Sequence, residues 1–187
     1  MIFALSEHPD GVETEPGMHV VYDLSEEKAA LGEARIGGPA VVWDLVDDRS
    51  LVTQFHKARV ALATEIELES ADDWILRCDR VDFPPRSVAY RHVHPGPGIR
   101  RILFGALTID RGDGEPVTYR PGESWWEAAN DPVLATASLT EETAFVRVLL
   151  LPAGWAGKRT IRYLDPADED KPRLQRATVL FEEPLRL

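Results

Sequence analysis

The chain has 187 residues, 44% of them hydrophobic, which suits one folded domain, or one domain with a substantial arm, rather than extended disorder. Asp and Glu number 32 against 21 Lys and Arg, a formal charge of −11 that argues against nucleic acid or an anionic membrane as partner. Cys78 is the single cysteine, so neither an intrachain disulfide nor a cysteine-based zinc site is expected, and MIFALSEHPDG lacks the basic flank and apolar length of a signal peptide; a soluble, cytoplasmic protein is the expectation.

Residues 1 to 24 are broken by Pro9, Gly11, Pro16 and Gly17 into short extended pieces, Met18–Tyr22 among them. Ser25–Arg35 has the composition of a short helix, with Ser25 as cap, acids in the first turn and Gly37-Gly38 beyond its end. Ala40–Val46 reads as a strand and Asp47–Ser50 as its turn; Lys57–Glu69 alternates as a further strand. Trp74–Phe83 is a strand with Trp74, Leu76 and Cys78 on one face and Arg77 and Asp79 on the other, and the apolar face makes Cys78 a buried small residue rather than a nucleophile. Turns at Pro84–Ser87 and Pro95–Gly98 bracket Val88–His94, and Ile99–Asp110 follows, interrupted at Gly105. Arg111–Gly114 has hairpin chemistry, after which Val117–Tyr119, Ser124–Glu127, Val133–Ala137 and Ala144–Leu151 continue a run of short strands. The tail from Trp155 is charged, with Thr178–Phe181 offering an edge strand and the acidic run Asp165–Asp170 reading as a solvated loop. Many short strands at close spacing with Gly/Pro turns define an all-β sandwich or barrel.

The stretch Tyr90–Ile109 carries the most chemistry. His92 and His94, two residues apart on a strand, project to one face with Tyr90, while Arg91 and Val93 project to the other. Two converging imidazoles make half of a metal site or the polar floor of a pocket. His8, His19 and His56 have no ligand-like spacing and read as surface residues.

Phe83-Pro-Pro-Arg-Ser-Val, His92-Val-His94-Pro-Gly, Ile102-Leu-Phe-Gly105 and Tyr119-Arg-Pro-Gly-Glu123 together resemble the cupin superfamily over roughly 74–151. The resemblance implies a cupin-type double-stranded β-helix (jelly-roll) barrel of the RmlC-like kind, commonly holding one divalent metal on three His and one Glu. It also implies a homodimer, because barrels of this family exchange strands or pack sheet to sheet. The expected division is an N-terminal arm over 1–55, with short strands and one helix, packing on a barrel over 56–154, and a C-terminal extension over 155–187.

The family pattern is incomplete here. Gly98 stands where the resemblance places the Glu, and Val133 where it places the second-motif His, so His92 and His94 alone remain as metal ligands. Stable zinc or iron sites generally use three or more protein ligands, so any Zn, Fe, Mn or Ni is expected to be held weakly unless Tyr90, Glu123 or Glu127 completes the set. With Gly98 inward, period 2 turns Arg100, Ile102 and Phe104 to the same side. Trp125 and Trp126 straddle the following strand, and Glu127 shares the parity of Trp125. Tyr90, His92, His94, Arg100, Trp125 and Glu127 then describe a pocket for a small polar or anionic molecule. Three functions follow: a binding module; an enzyme, either metal-dependent through His92 and His94 (dioxygenase or isomerase type) or metal-free with one of them as acid/base; and a non-catalytic dimeric structural protein.

Overall fold

The computed structural model describes residues 1–47, 58–69 and 73–185. The chain divides into two compact units, residues 1–73 with 183–187, and residues 74–182. This division differs from the expected one. Strand pairing carries the first unit past residue 55, and the segment after residue 155 contributes strands to the barrel sheets.

The first unit contains β1 (Ile2–His8), β2 (Val12–Thr14), β3 (His19–Asp23), β4 (Lys28–Leu31), β5 (Ala34–Ile36), β6 (Ala40–Val46) and β7 (Arg59–Glu65). Five of them form a sheet in the order β4-β3-β6-β1-β7, and β2 pairs with β5 in a separate ribbon. The expected helix over Ser25–Arg35 is instead the hairpin β3–β4, followed by β5. The Asp23 carboxylate accepts hydrogen bonds from the backbone N–H groups of Ser25 (2.8 Å) and Glu26 (3.0 Å), and Glu27 takes a positive φ of 54°. That local turn competes with a helical first turn and returns the chain so that Ala29, Ala30 and Leu31 pair with Tyr22, Val21 and Val20. His8 and His19 are not surface residues. His8 is buried with its Nε2 3.0 Å from Ser6 Oγ, and His19 Nδ1 lies 2.6 Å from the fully buried Asp44 Oδ1, because β1 and β3 flank β6 at that level. His56 and most of the turn expected at 47–50 lie outside the described residues.

The second unit contains β8 (Trp74–Phe83), β9 (Val88–Val93), β10 (Gly98–Phe104), β11 (Leu107–Asp110), β12 (Val117–Tyr119), β13 (Ser124–Glu127), β14 (Val133–Ala137), β15 (Thr143–Pro152), β16 (Arg162–Tyr163) and β17 (Arg176–Pro184), the last of which runs on into the first unit. One sheet has the order β13-β10-β15-β8-β17 and the other β12-β11-β14-β9-β16. Successive strands alternate between the sheets except at the hairpin β11–β12, and the two four-stranded cores, β8-β15-β10-β13 and β9-β14-β11-β12, interleave as two Greek keys. That order is the jelly roll, so the expected jelly-roll barrel is the fold of this unit. Its apolar filling comes from both sheets: Val81, Phe83, Ile102, Trp125 and Phe145 from the first face Ala89, Leu107, Ile109, Val133 and Ala135 from the second. The acidic run at 165–170 is not wholly solvated: Pro166–Asp170 forms a short 3₁₀ turn, and its buried Asp168 holds Lys171 at 2.5 Å. Among the described residues no helix is long and apolar enough to cross a membrane.

Backbone proximity fixes two glycines. A Cβ on Gly96 would fall 1.9 Å from the Leu150 carbonyl oxygen, and one on Gly98 would meet Leu149 Cδ2 at 2.5 Å and the Val148 oxygen at 2.6 Å. Both pack against β15, the strand between β8 and β10. Gly96→Ala is therefore expected to destabilise the protein by about 3 kcal/mol or more, the upper range for overpacking a closed interior, as read by chemical denaturation. Gly114→Ala, where no atom lies within 4 Å of the added carbon, serves as the neutral control.

Candidate functional site

Cross-strand register builds the site in rows on the inner face of the first sheet. Asp79, Arg147, Arg100 and Trp125 face one another in sequence across β8, β15, β10 and β13. One step along lie Arg77, Leu149, Gly98 and Glu127; one step the other way lie Val81, Phe145 and Ile102. A charged band therefore borders an apolar one.

Arg100 and Arg147 are direct cross-strand partners and both are buried, an arrangement that like-charge repulsion opposes. A carboxylate on each side compensates. Asp79 Oδ2 accepts from Arg147 Nε (3.1 Å) and Nη2 (2.7 Å), while its Oδ1 accepts from Arg77 Nε (2.8 Å). Glu127 Oε2 lies 2.6 Å from Arg100 Nη2, and its Oε1 accepts from Trp125 Nε1 (2.8 Å). Burial lowers the Arg100 guanidinium to about 10, with Glu127 opposing the shift. Burial alone would raise Glu127, but Arg100 and the Trp125 N–H outweigh it and hold the carboxyl below its usual range. The Arg100–Glu127 contact is close in distance but poorly aligned, leaving Arg100 Nη2 without an acceptor in hydrogen-bonding geometry.

The histidines meet this band from the second sheet. Their rings are 4.9 Å apart and perpendicular. The Tyr90 carbonyl accepts from His92 Nδ1 (2.6 Å) and the Thr160 carbonyl from His94 Nδ1 (3.2 Å), so both rings are held with the proton on Nδ1 and the lone pair on Nε2. Arg147 Nη1 donates to His94 Nε2 (3.4 Å), whereas His92 Nε2 has no hydrogen-bond partner among the described residues. Burial, above all, lowers both imidazoles; for His94, the cations Arg147 and Arg100 and the neighbouring His92 deepen the effect.

Of the residues expected at the site, His92, His94, Arg100, Trp125 and Glu127 converge and line one cavity. Tyr90 does not. Pairing of β9 with β14 passes from Ala89↔Ala135 to His92↔Val133, so β9 carries one extra residue there. That bulge resets the alternation: Ala89 and His92 both face inward, and the Tyr90 ring lies beneath Lys171 Nζ at 4.5 Å. Glu123 bonds the Arg120 backbone N–H at an exposed turn. Trp126 shares neither the burial nor the cavity of Trp125. Arg77, Asp79, Arg147 and Thr160 belong to the site but were not anticipated. The available signal was a lone Arg147 within the apolar run Ala144–Leu151, and the Arg77/Asp79 pair on one face of β8.

The donor set does not fit a divalent metal. His92, His94 and Glu127 are near one another, with His94 Nε2 3.9 Å from Glu127 Oε2, yet no group of three or more His, Cys, Asp or Glu among the described residues is arranged to hold an ion. A guanidinium nitrogen already faces the His94 lone pair, Glu127 is engaged by Arg100 and Trp125, and Gly98 and Val133 supply no donor. Two built-in cations occupy the electrostatic place that a metal would need.

The cavity has a volume of about 560 Å³, within the range of small-molecule sites. Six cationic side chains and two carboxylates line it, in a chain whose total charge is −11. Its floor is apolar and aromatic. Its mouth is bordered by 157–161 and by β17 with the preceding Arg173 and Gln175. Arg77 Nη1 donates to the Lys158 carbonyl (2.7 Å) and lies 3.5 Å from Glu182 Oε2; Arg147 Nη2 donates to Thr160 Oγ1 (3.2 Å). The buried Gln175 Oε1, on the same lining, has no donor among the described residues.

No family model matches the chain, and no curated protein matches it either. Solved structures similar to it include the polyketide cyclase RemF from Streptomyces resistomycificus (17% identity, 52% of this chain and 64% of that one, TM-score 0.40). An RmlC-like cupin from Shewanella frigidimarina also matches (17% identity, 48% and 85%, TM-score 0.37), as does an oxalate oxidase in complex with glycolate (14% identity, 86% and 87%, TM-score 0.37). The chain spans under two thirds of the cyclase's length. On its own strand order, the second unit is a jelly roll. Its interior carries a charged band of arginines, carboxylates and neutral histidines over an apolar floor.

The lowered histidines give stability a definite pH dependence. Between the folded-state values and 6.5, the value of a free histidine, the unfolded chain binds more protons than the folded one. Stability is therefore complete above that value and falls as pH drops below it. Glu127, held low, acts in the same direction only further toward acid, below 4.5. Denaturation midpoints measured from neutral pH down to 5 (about 1.5 units under the free histidine value) are expected to fall in the wild type and to fall less in His94→Asn.

Proposed function

We propose that the jelly-roll unit binds a small organic anion, with a carboxylate as the group recognised. The observation that supports this most is the reversal of charge: an acidic protein lines one cavity with six cations and two carboxylates. Such a field attracts anions and repels the cations that the protein's outer surface would gather. Guanidinium groups suit carboxylates because their N–H donors are planar and paired. In the innermost layer Arg77, Arg100 and Arg147 face only Asp79 and Glu127, and the neutral histidines add no charge. At the rim Glu182 lies against Arg77 and Glu169 against Arg159 and Arg173, and Lys158 adds one further cation.

Ligand-induced thermal stabilisation tests this, since a ligand that binds only the folded state raises its melting temperature. A panel of small carboxylic acids is expected to stabilise the wild type, their uncharged amides to do so far less, and added salt to weaken the effect. Arg147→Met is expected to lower carboxylate affinity by about tenfold or more, a loss typical of a buried charge-assisted contact. Equal stabilisation by acid and amide would overturn the reading.

A second reading adds acid–base chemistry at the same place. It is favoured by His92 Nε2, a partnerless lone pair on a ring whose proton is fixed on Nδ1, lining the cavity near Arg100 and Arg147. Because the imidazole stays neutral at pH 7, it is ready to take a proton from a carbon acid, and the guanidinium groups would stabilise the resulting negative charge. Solvent deuterium entering the acidic carbon position of a bound 2-oxo acid, followed by NMR, is the expected signature. Its persistence unchanged in His92→Asn would exclude this role.

A further inference from the structure

The cavity walls are unlike one another. On the first sheet the apolar end presents Phe83, Phe145 and Trp125, with Phe145 and Trp125 centroids 5.3 Å apart at 75° and Phe83 and Phe145 5.9 Å apart. Tyr119 stacks on Trp125 at 4.9 Å. On the second sheet the residues at the middle of the wall are the cross-strand partners Ala89 and Ala135, with Ile109 beside Ala135. Sheets in a sandwich sit about 10 Å apart and need interdigitated side chains from both faces to close the gap. Two adjacent alanines leave that gap open opposite an aromatic surface. At that level the cavity is lined by the alanines of one sheet and the aromatic side chains of the other, with the guanidinium band at one end.

We propose that the ligand is a flat aromatic acid, a fused or single ring carrying one carboxylate, inserted ring-first between Phe145 and Trp125 on one side and Ala89 and Ala135 on the other. The proposal rests on the anion-binding reading and adds the shape and class of the apolar body. A planar ring fills a shallow slot without moving either sheet, whereas a puckered ring of the same skeleton is too thick beside an alanine wall. Aromatic edges and faces on the first sheet add contacts that a saturated ring does not return. One carboxylate is the number that offsets the single guanidinium charge left by Asp79 and Glu127 in the innermost layer.

Calorimetric titration of the full chain with 2-naphthoate, decahydronaphthalene-2-carboxylate and 2-naphthamide separates the parts of the argument. Naphthoate is expected to bind about tenfold or more tightly than the saturated acid, the size of one or two aromatic contacts, and the amide to bind more weakly still. Ala135→Leu, which fills the slot, is expected to weaken naphthoate by a similar factor while keeping or raising the melting temperature. Ala135→Val serves should the larger side chain prevent folding. Equal binding of the aromatic and saturated acids overturns the planar class and leaves the anion reading standing. Equal binding of naphthoate and naphthamide overturns the anion reading itself, and failure of all three to bind overturns both.

Discussion

The carboxylate of Asp79 is the point on which the interior of the jelly roll depends. Fully buried on β8, it takes hydrogen bonds from two arginines, Arg77 beside it on the same strand and Arg147 across on β15. Isolated buried charges cost several kcal/mol each, an expense met only where partners and hydrogen bonds are complete. Arg147 in turn reaches His94 and Thr160, and Arg77 reaches the Lys158 carbonyl. Through these contacts one side chain on a central strand fixes the edge of the cavity and the segment that borders its mouth. Hydrophobic residues could fill the same volume at comparable stability. The five charged groups there are held by one another's hydrogen bonds and ion pairs rather than by solvent.

Row-by-row alternation explains how a charged and an apolar region share one cavity. Moving two residues along any strand of the first sheet crosses from one to the other: Asp79 to Val81 on β8, Arg147 to Phe145 on β15, Arg100 to Ile102 on β10, Glu127 to Trp125 on β13. On β8, β15 and β10 the transition falls at one level and on β13 one step nearer Gly98, because antiparallel register locks neighbours together and a slip of one residue would turn the whole set outward. The change of polarity is thus written four times in the sequence, and the ladder aligns three of the copies and sets the fourth one step away.

Much of this architecture is legible in the amino-acid sequence. Ala40–Val46, Trp74–Phe83, Val117–Tyr119, Ser124–Glu127 and Val133–Ala137 are strands with the expected bounds, since each is a β-branched or aromatic run closed by Gly, Pro or acidic turns. Parity alone brings Trp125 and Glu127 inward together, and the spacing of the histidines places them side by side. The failures have physical causes. Residues 25–35 hold good helix formers, but an Asp23 turn and an available sheet edge outweigh that propensity. Tyr90 leaves the site because a bulge, invisible to strict alternation, intervenes on β9. Alternation also leaves open which face of a strand points inward. On β8 the apolar set with Cys78 reads as core, yet the cavity takes the face of Arg77 and Asp79. Cys78 is nevertheless buried, and burial pushes its thiol far up, so the reading of it as an inert small residue agrees with its surroundings.

The two positions where the cupin resemblance breaks down act together. Gly98, standing in the place of an acidic ligand, is the direct cross-strand partner of Glu127, so a carboxylate is present at that level but one strand away. No side chain fits at residue 98, where an added carbon would collide with β15 and lie 3.1 Å from Arg100 Nη1. The vacated space lets the Arg100 side chain fold back, with Nη1 donating to the Gly98 carbonyl and Nη2 against Glu127. Val133, in the place of the remaining histidine, pairs opposite His92 and gives its ring an apolar neighbour. The absence of a side chain at residue 98 thus leaves room for the guanidinium of the next position on the same face. The Glu127 carboxylate lies against that guanidinium, and burial keeps the histidine pair uncharged. Two guanidinium groups and their carboxylate partners on the first sheet then meet an uncharged histidine pair from the second.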